Sequence, residues 1–148
     1  MIKESFNLEG EYKIYLNDKL FGSFKNLITT IGKTYIRDNI YGDFSNSTFQ
    51  YIAIGTSATA PAVGQIQLVA ENARSVIVAR TKISTNQLKV SANFNFEIGI
   101  GTIREIGIFM KDATSVANSG TMFSRITPTA FVKDSETILI VEYTLTIS

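Results

Sequence analysis

Residues 88–98 read Leu-Lys-Val-Ser-Ala-Asn-Phe-Asn-Phe-Glu-Ile, with an apolar residue at every even position and a polar residue at every odd one. A period of two is typical of a β-strand that has one face in a hydrophobic core and the other in water. The stretch 137–147 has the same alternation, with Leu139, Val141 and Tyr143 on one face. The second half of the chain is therefore predicted to be β-sheet, with no helix between its strands.

Residues 26–41 change to a helical period. Their apolar residues recur at intervals of three, four and five, which is the stripe of an amphipathic helix. Asn26 is the expected N-cap, and Gly42 is the expected stop just beyond the last turn. Gly32 lies inside this helix, where glycine costs about 1 kcal/mol relative to alanine. A close packing contact, for instance with a crossing strand, is expected at that position.

The rest of the chain consists of short apolar strands joined by polar turns. We predict a single domain over 1–148, with an N-terminal arm or hairpin over 1–24, one helix over 26–41 and a β-sandwich over 49–148. Seven or eight strands linked mostly by turns favour a mainly β fold, an antiparallel and jelly-roll-like β-sandwich. The N-terminal segment is also a candidate for an arm that engages a neighbouring subunit.

The composition argues against several classes of function. The chain of 148 residues has no cysteine and no histidine, so it lacks thiolate ligands, disulfides and the commonest general base. Its net charge is +1, and its cations are scattered, unlike a phosphate-binding track. The N-terminus carries charges where a signal peptide is apolar, and the apolar run 138–141 is too short to span a bilayer. We expect no enzymatic activity, no cofactor, no metal, no nucleic-acid partner and no membrane insertion.

One carboxylate stands out in this pattern. Glu105 lies between Ile103 and Ile106 in an otherwise apolar strand. A buried carboxylate is costly unless it is paired or hydrogen-bonded, and Arg74 and Arg104 are the candidate partners. Such a group could serve catalysis or metal binding, but a salt bridge that fixes the sandwich or an interface is the favoured interpretation.

A second anomaly is the presence of apolar residues on both faces of two strands. Ile138 and Ile140 lie opposite the core-facing residues of the last strand, and Val76 and Val78 do the same in the strand over 75–84. Charged residues make up only 18% of the chain, against about a quarter in ordinary globular proteins. These four residues are interface candidates, with strands central to two layers as the alternative.

Six segments, taken in order and spacing, resemble a known class of virion module. They are Lys-Asn-Leu-Ile-Thr-Thr-Ile-Gly (25–32), Tyr-Ile-Ala-Ile-Gly-Thr (51–56), Leu-Val-Ala-Glu-Asn-Ala-Arg (68–74), Ile-Arg-Glu-Ile-Gly-Ile-Phe (103–109), Met-Phe-Ser-Arg (122–125) and the closing alternating strand. This order is similar to that in structural proteins of tailed bacteriophages, of the tail-fibre, baseplate and neck or collar type. The resemblance covers about residues 20–148.

The resemblance implies a β-sandwich attachment domain without catalysis or cofactor, located in the virion and assembled in the host cytoplasm. Its partners would be other virion structural proteins, and its own state a homotrimer or higher oligomer. Glu71, Arg74, Glu105 and Arg125 occupy the charged positions of the family, where they have a structural role.

Three other functions remain open on the sequence. Because no fibrous tail follows the sandwich in this sequence, an adaptor is expected rather than a receptor-binding fibre. A capsid decoration protein is the first alternative. A carbohydrate-binding module is the second, although the chain has no tryptophan for a stacking platform. An enzyme such as a depolymerase is the third, and the lack of histidine argues against it.

Overall fold

The computed structural model describes residues 5–148, which form eleven strands and one helix. The elements are β1 (Leu8–Leu16), β2 (Lys19–Lys25), β3 (Leu27–Ile28), α1 (Thr30–Tyr41), β4 (Phe49–Gly55), β5 (Glu71–Ser84), β6 (Gln87–Phe94), β7 (Gly101–Ile103), β8 (Glu105–Met110), β9 (Met122–Ile126), β10 (Phe131–Lys133) and β11 (Leu139–Ile147).

Nine strands form one continuous antiparallel sheet in the order β2-β1-β11-β6-β5-β4-β8-β9-β3, and β7 pairs with β10 separately. The long strand β5 joins the two halves. Its residues 71–76 pair with β4, and its residues 77–84 pair with β6. The sheet folds over at β5 into a nearly closed, barrel-like sandwich. The prediction of a mainly β, antiparallel sandwich with one helix is confirmed.

We call the two layers sheet A and sheet B. Sheet A comprises β2, β1, β11, β6 and residues 77–84 of β5; sheet B comprises residues 71–76 of β5 with β4, β8, β9 and β3. The core lies between them. Tyr143 of sheet A contacts Phe49 of sheet B, with ring centroids 5.6 Å apart and the rings perpendicular. The hydroxyl of Tyr12 shares a hydrogen bond of 2.6 Å with Ser124 Oγ in sheet B.

The N-terminal hairpin is an integral part of sheet A. Strand β1 pairs with β11 from Leu8 to Leu16, and Tyr12 and Ile14 are fully buried. Asn17 and Asp18 form the turn to β2 with positive φ angles of 48° and 65°, which suits the tight turns of twisted hairpins. Residues 8–25 form a hairpin within sheet A, and the engagement of a neighbouring subunit by this segment stays a prediction. Residues 1–4 of the predicted arm lie outside the described part of the chain.

Helix α1 begins later than predicted. Its N-cap is Thr29, whose Oγ1 accepts a hydrogen bond of 2.9 Å from Gly32 N. The predicted N-cap, Asn26, is wrong because Leu27 and Ile28 form β3 against β9 instead of the first helical turn. A tertiary strand pairing here overrides the local helical period.

The two glycines predicted to be special in this region have their expected roles. Gly42 ends the helix in the left-handed conformation, with φ of 109°, which favours glycine. Gly32 faces β9 so closely that a Cβ would collide with the backbone oxygen of Phe123. The crossing strand expected from the sequence is therefore β9.

The alternating stretch over 88–98 is only partly a strand. Strand β6 ends at Phe94, and a turn closed by a hydrogen bond of 3.0 Å from Ile98 N to the oxygen of Asn95 follows. Lys133 Nζ donates a bond of 2.7 Å to the same oxygen. These bonds turn the chain away from sheet A and towards β7, so the prediction of strand over 95–98 is wrong. Pattern alone could not show this.

Candidate functional site

A buried ion pair lies on the outer face of sheet B. Arg125 donates from Nε and Nη2 to Glu105 Oε2, at 3.0 Å and 2.8 Å. The side chain of Glu105 is 0% exposed and that of Arg125 is 1% exposed. Charge-assisted bonds of this kind are stronger than neutral ones, and they compensate the desolvation of both groups.

The same carboxylate anchors the long connection between β4 and β5. We call this connection, residues 56–70, the anchored loop. Glu105 accepts hydrogen bonds from Ala70 N at 2.7 Å, Val69 N at 3.0 Å and Ser57 N at 3.4 Å. Arg125 donates from Nη1 to the oxygen of Thr59 at 2.7 Å. Both ends of the anchored loop are therefore held by one buried pair.

Two glycines of the resemblance segments lie opposite this pair in the sheet, and one of them makes room for it. Gly55 lies directly opposite Glu105 across β4 and β8, and a Cβ there would collide with Glu105 Oε1 and the oxygen of Ala70. Gly107 lies opposite Arg125 across β8 and β9, so Arg125 reaches Glu105 diagonally, two residues along the strand. Diagonal neighbours in a sheet are within reach of long side chains. A Cβ at Gly107 would instead meet Leu68 of the anchored loop and the sulfur of Met122, so this glycine makes room for the apolar contact of the loop.

A second ion pair holds a second loop on the same face. The second loop comprises residues 111–121, between β8 and β9. Arg74 forms a bidentate pair with Glu71, with distances of 2.9 Å and 2.7 Å, and donates from Nη1 to the oxygens of Thr114 and Ser119 at 2.9 Å and 3.0 Å. Its guanidinium also lies 4.7 Å from the ring centroid of Phe109, a cation–π contact.

The four predicted charged residues thus form two separate pairs. The partner of Glu105 is Arg125; the two partners suggested by the sequence, Arg74 and Arg104, are wrong. Arg74 instead pairs with Glu71, three residues earlier on β5. The register of β8 and β9 determines the first pair. That register cannot be predicted from the residues of the two strands alone.

The chemistry open to these groups is limited by their bonding. Glu105 accepts five hydrogen bonds from Arg125 and three backbone amides. A carboxylate offers about four lone-pair sites, so no free acceptor is left for a substrate. The arrangement positions two loops and fixes their conformation.

The interface candidates fall on the outer face of the sheet. Val76 and Val78 are 42% and 59% exposed, whereas Ile138 and Ile140 are half-buried. Ile140 lies opposite Tyr15 in β1, but Asn93 of β6 is its neighbour on the other side. These four residues therefore do not form one continuous apolar surface.

The sequence reasoning missed the most exposed apolar group near the ion pair. The anchored loop presents Val63, Ile66 and Val69 to solvent, at 51%, 62% and 53% exposure. Its Leu68 is 1% exposed and packs on the opposite side, against Gly107 of β8. The backbone oxygen of Val63 accepts a bond of 2.8 Å from Thr30 N, which ties the loop to the start of α1. The sequence predicts an irregular connection over residues 63–66, Val-Gly-Gln-Ile. It has no periodicity there that would predict an exposed apolar surface.

Comparison with known proteins identifies no relative: no protein-family model matches the chain, and no curated protein matches it either. Within residues 5–148, no helix is long and apolar enough to cross a membrane. In the same part of the chain, no three acidic side chains are grouped so that they could hold a metal ion.

Proposed function

We propose that this chain is a non-enzymatic structural component of a bacteriophage particle, an adaptor or attachment module in the tail, neck or fibre-anchoring region. It acts through docking surfaces, as a homotrimer or higher oligomer with other virion proteins as partners. The observation that carries the proposal is the anchored loop: buried charges hold it rigidly while Val63, Ile66 and Val69 face solvent.

The anchored loop has the properties of a docking element. Ordering a flexible loop on binding reduces affinity, and a loop already fixed in one conformation avoids that loss. The buried pair and the amide bonds to Glu105 supply this order. Exposed apolar side chains grouped on such a loop favour protein–protein contact. The loop therefore suits a module that docks repeatedly in one geometry.

The resemblance to virion modules gains support from where its segments meet. Three of the six segments supply the two ion pairs, with Glu71 and Arg74 from the third, Glu105 from the fourth and Arg125 from the fifth. Gly55 of the second segment makes room for Glu105. Segments far apart in the sequence thus build one structural unit on sheet B. Their shared order and spacing are what a family of such modules would need to preserve.

The test is to locate the chain on particles of the phage that encodes it. Mass spectrometry of purified particles should detect its peptides, and immunogold labelling should place it at the tail, neck or fibre base. Label on the head would instead favour a capsid decoration protein. Absence of the chain from particles would refute the proposal.

A paired set of variants tests the docking surface itself. The double variant Val63→Asp/Ile66→Asp should fold normally, since both side chains are exposed, yet fail to enter particles in a complementation assay. The control, Leu20→Asp/Val132→Asp, changes one leucine and one valine outside the two loops of sheet B, at 56% and 63% exposure. Equal incorporation of the two variants would show that the anchored loop is not the docking element.

A further inference from the structure

The second half of β5 has an unpaired edge. Residues 77–84 pair with β6 on one side, while the pairing with β4 on the other side stops at Val76. Within the part of the chain that the structure describes, no other strand covers this side. Bulges at Val78 and Ile83 interrupt the pairing with β6, so residues 79–82 are the regular part of this edge. The outward backbone donors and acceptors of that part are free to pair with another chain. We call residues 77–84 the free edge.

A cleft lies beside the free edge. Because β4 and β5 diverge beyond Val76, a cavity of about 500 Å³ opens between the free edge and helix α1. Its floor is formed by core side chains, including Phe49, Met110 and Leu145. Its volume is within the range of ordinary ligand pockets, roughly 300–1,000 Å³.

The cleft has a basic rim. Arg80 and Lys82 pair with Val90 and Leu88 of β6, and paired residues share one face of a sheet, so both cations lie on the cleft side. Among the salt bridges within residues 5–148, neither has an acidic partner. The cleft therefore combines an apolar floor with two cations that no described carboxylate neutralises.

We propose that the free edge and its cleft bind an extended acidic segment of a partner protein by β-strand addition. The partner backbone would pair with the free edge, and its carboxylates would face Arg80 and Lys82 while their methylene groups cover the apolar floor. Strand addition gives affinity through main-chain bonds and specificity through alternate side chains. This inference concerns a different surface from the anchored loop and is independent of the proposed function.

Two other occupants fit the observations less well. A second copy of the free edge, pairing antiparallel around Thr81, would place Arg80 against Lys82 of the other copy, and like charges directly opposite each other are destabilising. A small amphiphile such as a fatty acid could fill the cleft and reach a cation, but its chain offers no hydrogen bonds to the backbone of the edge.

The probe is the acetylated and amidated hexapeptide of alternating glutamate and valine, titrated into the full-length chain and followed by NMR. We expect saturable binding, with new hydrogen-exchange protection at amides of residues 77–84. The same peptide with backbone N-methyl groups, which cannot complete the strand pairing, should not bind. The lysine–valine peptide should not bind either.

Charge-reversal variants provide the matched control. Arg80→Glu/Lys82→Glu should weaken binding about tenfold or more, because attraction at two cross-strand pairs becomes repulsion. Lys19→Glu/Lys25→Glu changes the net charge equally at two exposed positions of β2, at the far edge of sheet A from the cleft, and should leave binding unchanged.

Four outcomes would overturn the proposal. They are no binding of the glutamate–valine peptide, equal binding of the N-methylated peptide, binding of dodecanoate in the cleft without peptide binding, and a dimer through the free edge in analytical ultracentrifugation. None of these outcomes bears on whether the chain is present on particles. Failure of the strand-addition proposal is therefore distinguishable from failure of the proposed function.

Discussion

Replacing Glu105 tests the central structural argument most directly. In Glu105→Ala, Arg125 loses its ionic partner while remaining 1% exposed. Breaking a buried pair by removing one member typically costs about 3–5 kcal/mol, because the remaining charge is uncompensated. For a chain of this size, each kcal/mol lowers the melting temperature by about 2–4 °C. The expected fall is therefore about 6–20 °C.

The measurement is thermal unfolding by circular dichroism, with urea unfolding as a second probe. The control is Glu136→Ala, which removes an exposed carboxylate and should stay within about 0.5 kcal/mol of the parent, as surface substitutions usually do. Limited proteolysis should also show cleavage in the anchored loop of Glu105→Ala under conditions in which the parent resists. A melting temperature equal to that of the control would refute the reasoning.

A double-mutant cycle separates the pair from its surroundings. Arg125→Met removes the buried cation, so combining it with Glu105→Ala should cost much less than the sum of the two single losses. Recovery should be incomplete, because the amides of Val69 and Ala70 still lack their acceptor, and an unsatisfied buried donor costs about 1–3 kcal/mol. Additive losses would mean that the two groups act independently, contrary to the geometry.

Two further predictions concern packing and pH. Gly32→Ala should lower the free energy of unfolding in urea, despite a gain in helix propensity of about 1 kcal/mol, because the new Cβ meets the backbone of β9; a more stable variant would contradict this. Burial raises the pKa of Tyr143 and Tyr12. Because their folded pKa values lie above the unfolded one, the stability they contribute is complete below pH about 10 and is lost as the pH rises through the folded pKa values. Tyrosinate absorbance at 295 nm should therefore include a fraction that appears only with unfolding and that Tyr12→Phe and Tyr143→Phe remove. Titration of all tyrosines before unfolding would refute it.

Much of the fold could be predicted because its strands have one face in the core. The alternation in β6 and β11 is a direct consequence of their position in sheet A, with Val90 and Tyr143 buried. Gly32 was informative for a different reason. Glycine destabilises a helix, so its presence there indicates a close neighbour, which is Phe123 of β9. Where one local rule and the tertiary structure agree, sequence reasoning succeeds.

Sequence reasoning failed where residues distant in the chain determine the local conformation. Leu27 and Ile28 continue a helical stripe, but they pair with β9, almost a hundred residues later. The alternation continues beyond Phe94, but Lys133 bonds the turn that ends the strand. The partner of Glu105 likewise depends on strand register. In each case the residues of the segment itself give no indication of the distant contact that determines its conformation.

The pairing of β1 with β11 has a consequence for how the chain folds. Leu8 lies opposite Ile147, so the first and last strands must meet before sheet A is complete. Pairing distant strands requires closing a large loop, and the entropy lost in doing so slows folding. Topologies rich in such pairings fold in roughly milliseconds to seconds. During synthesis the hairpin of β1 and β2 forms before its partner strand β11 has been made. Until β11 is available, Tyr12 and Ile14 lack the neighbouring strand beside which they are buried in the folded chain. Apolar surface exposed in this way favours aggregation.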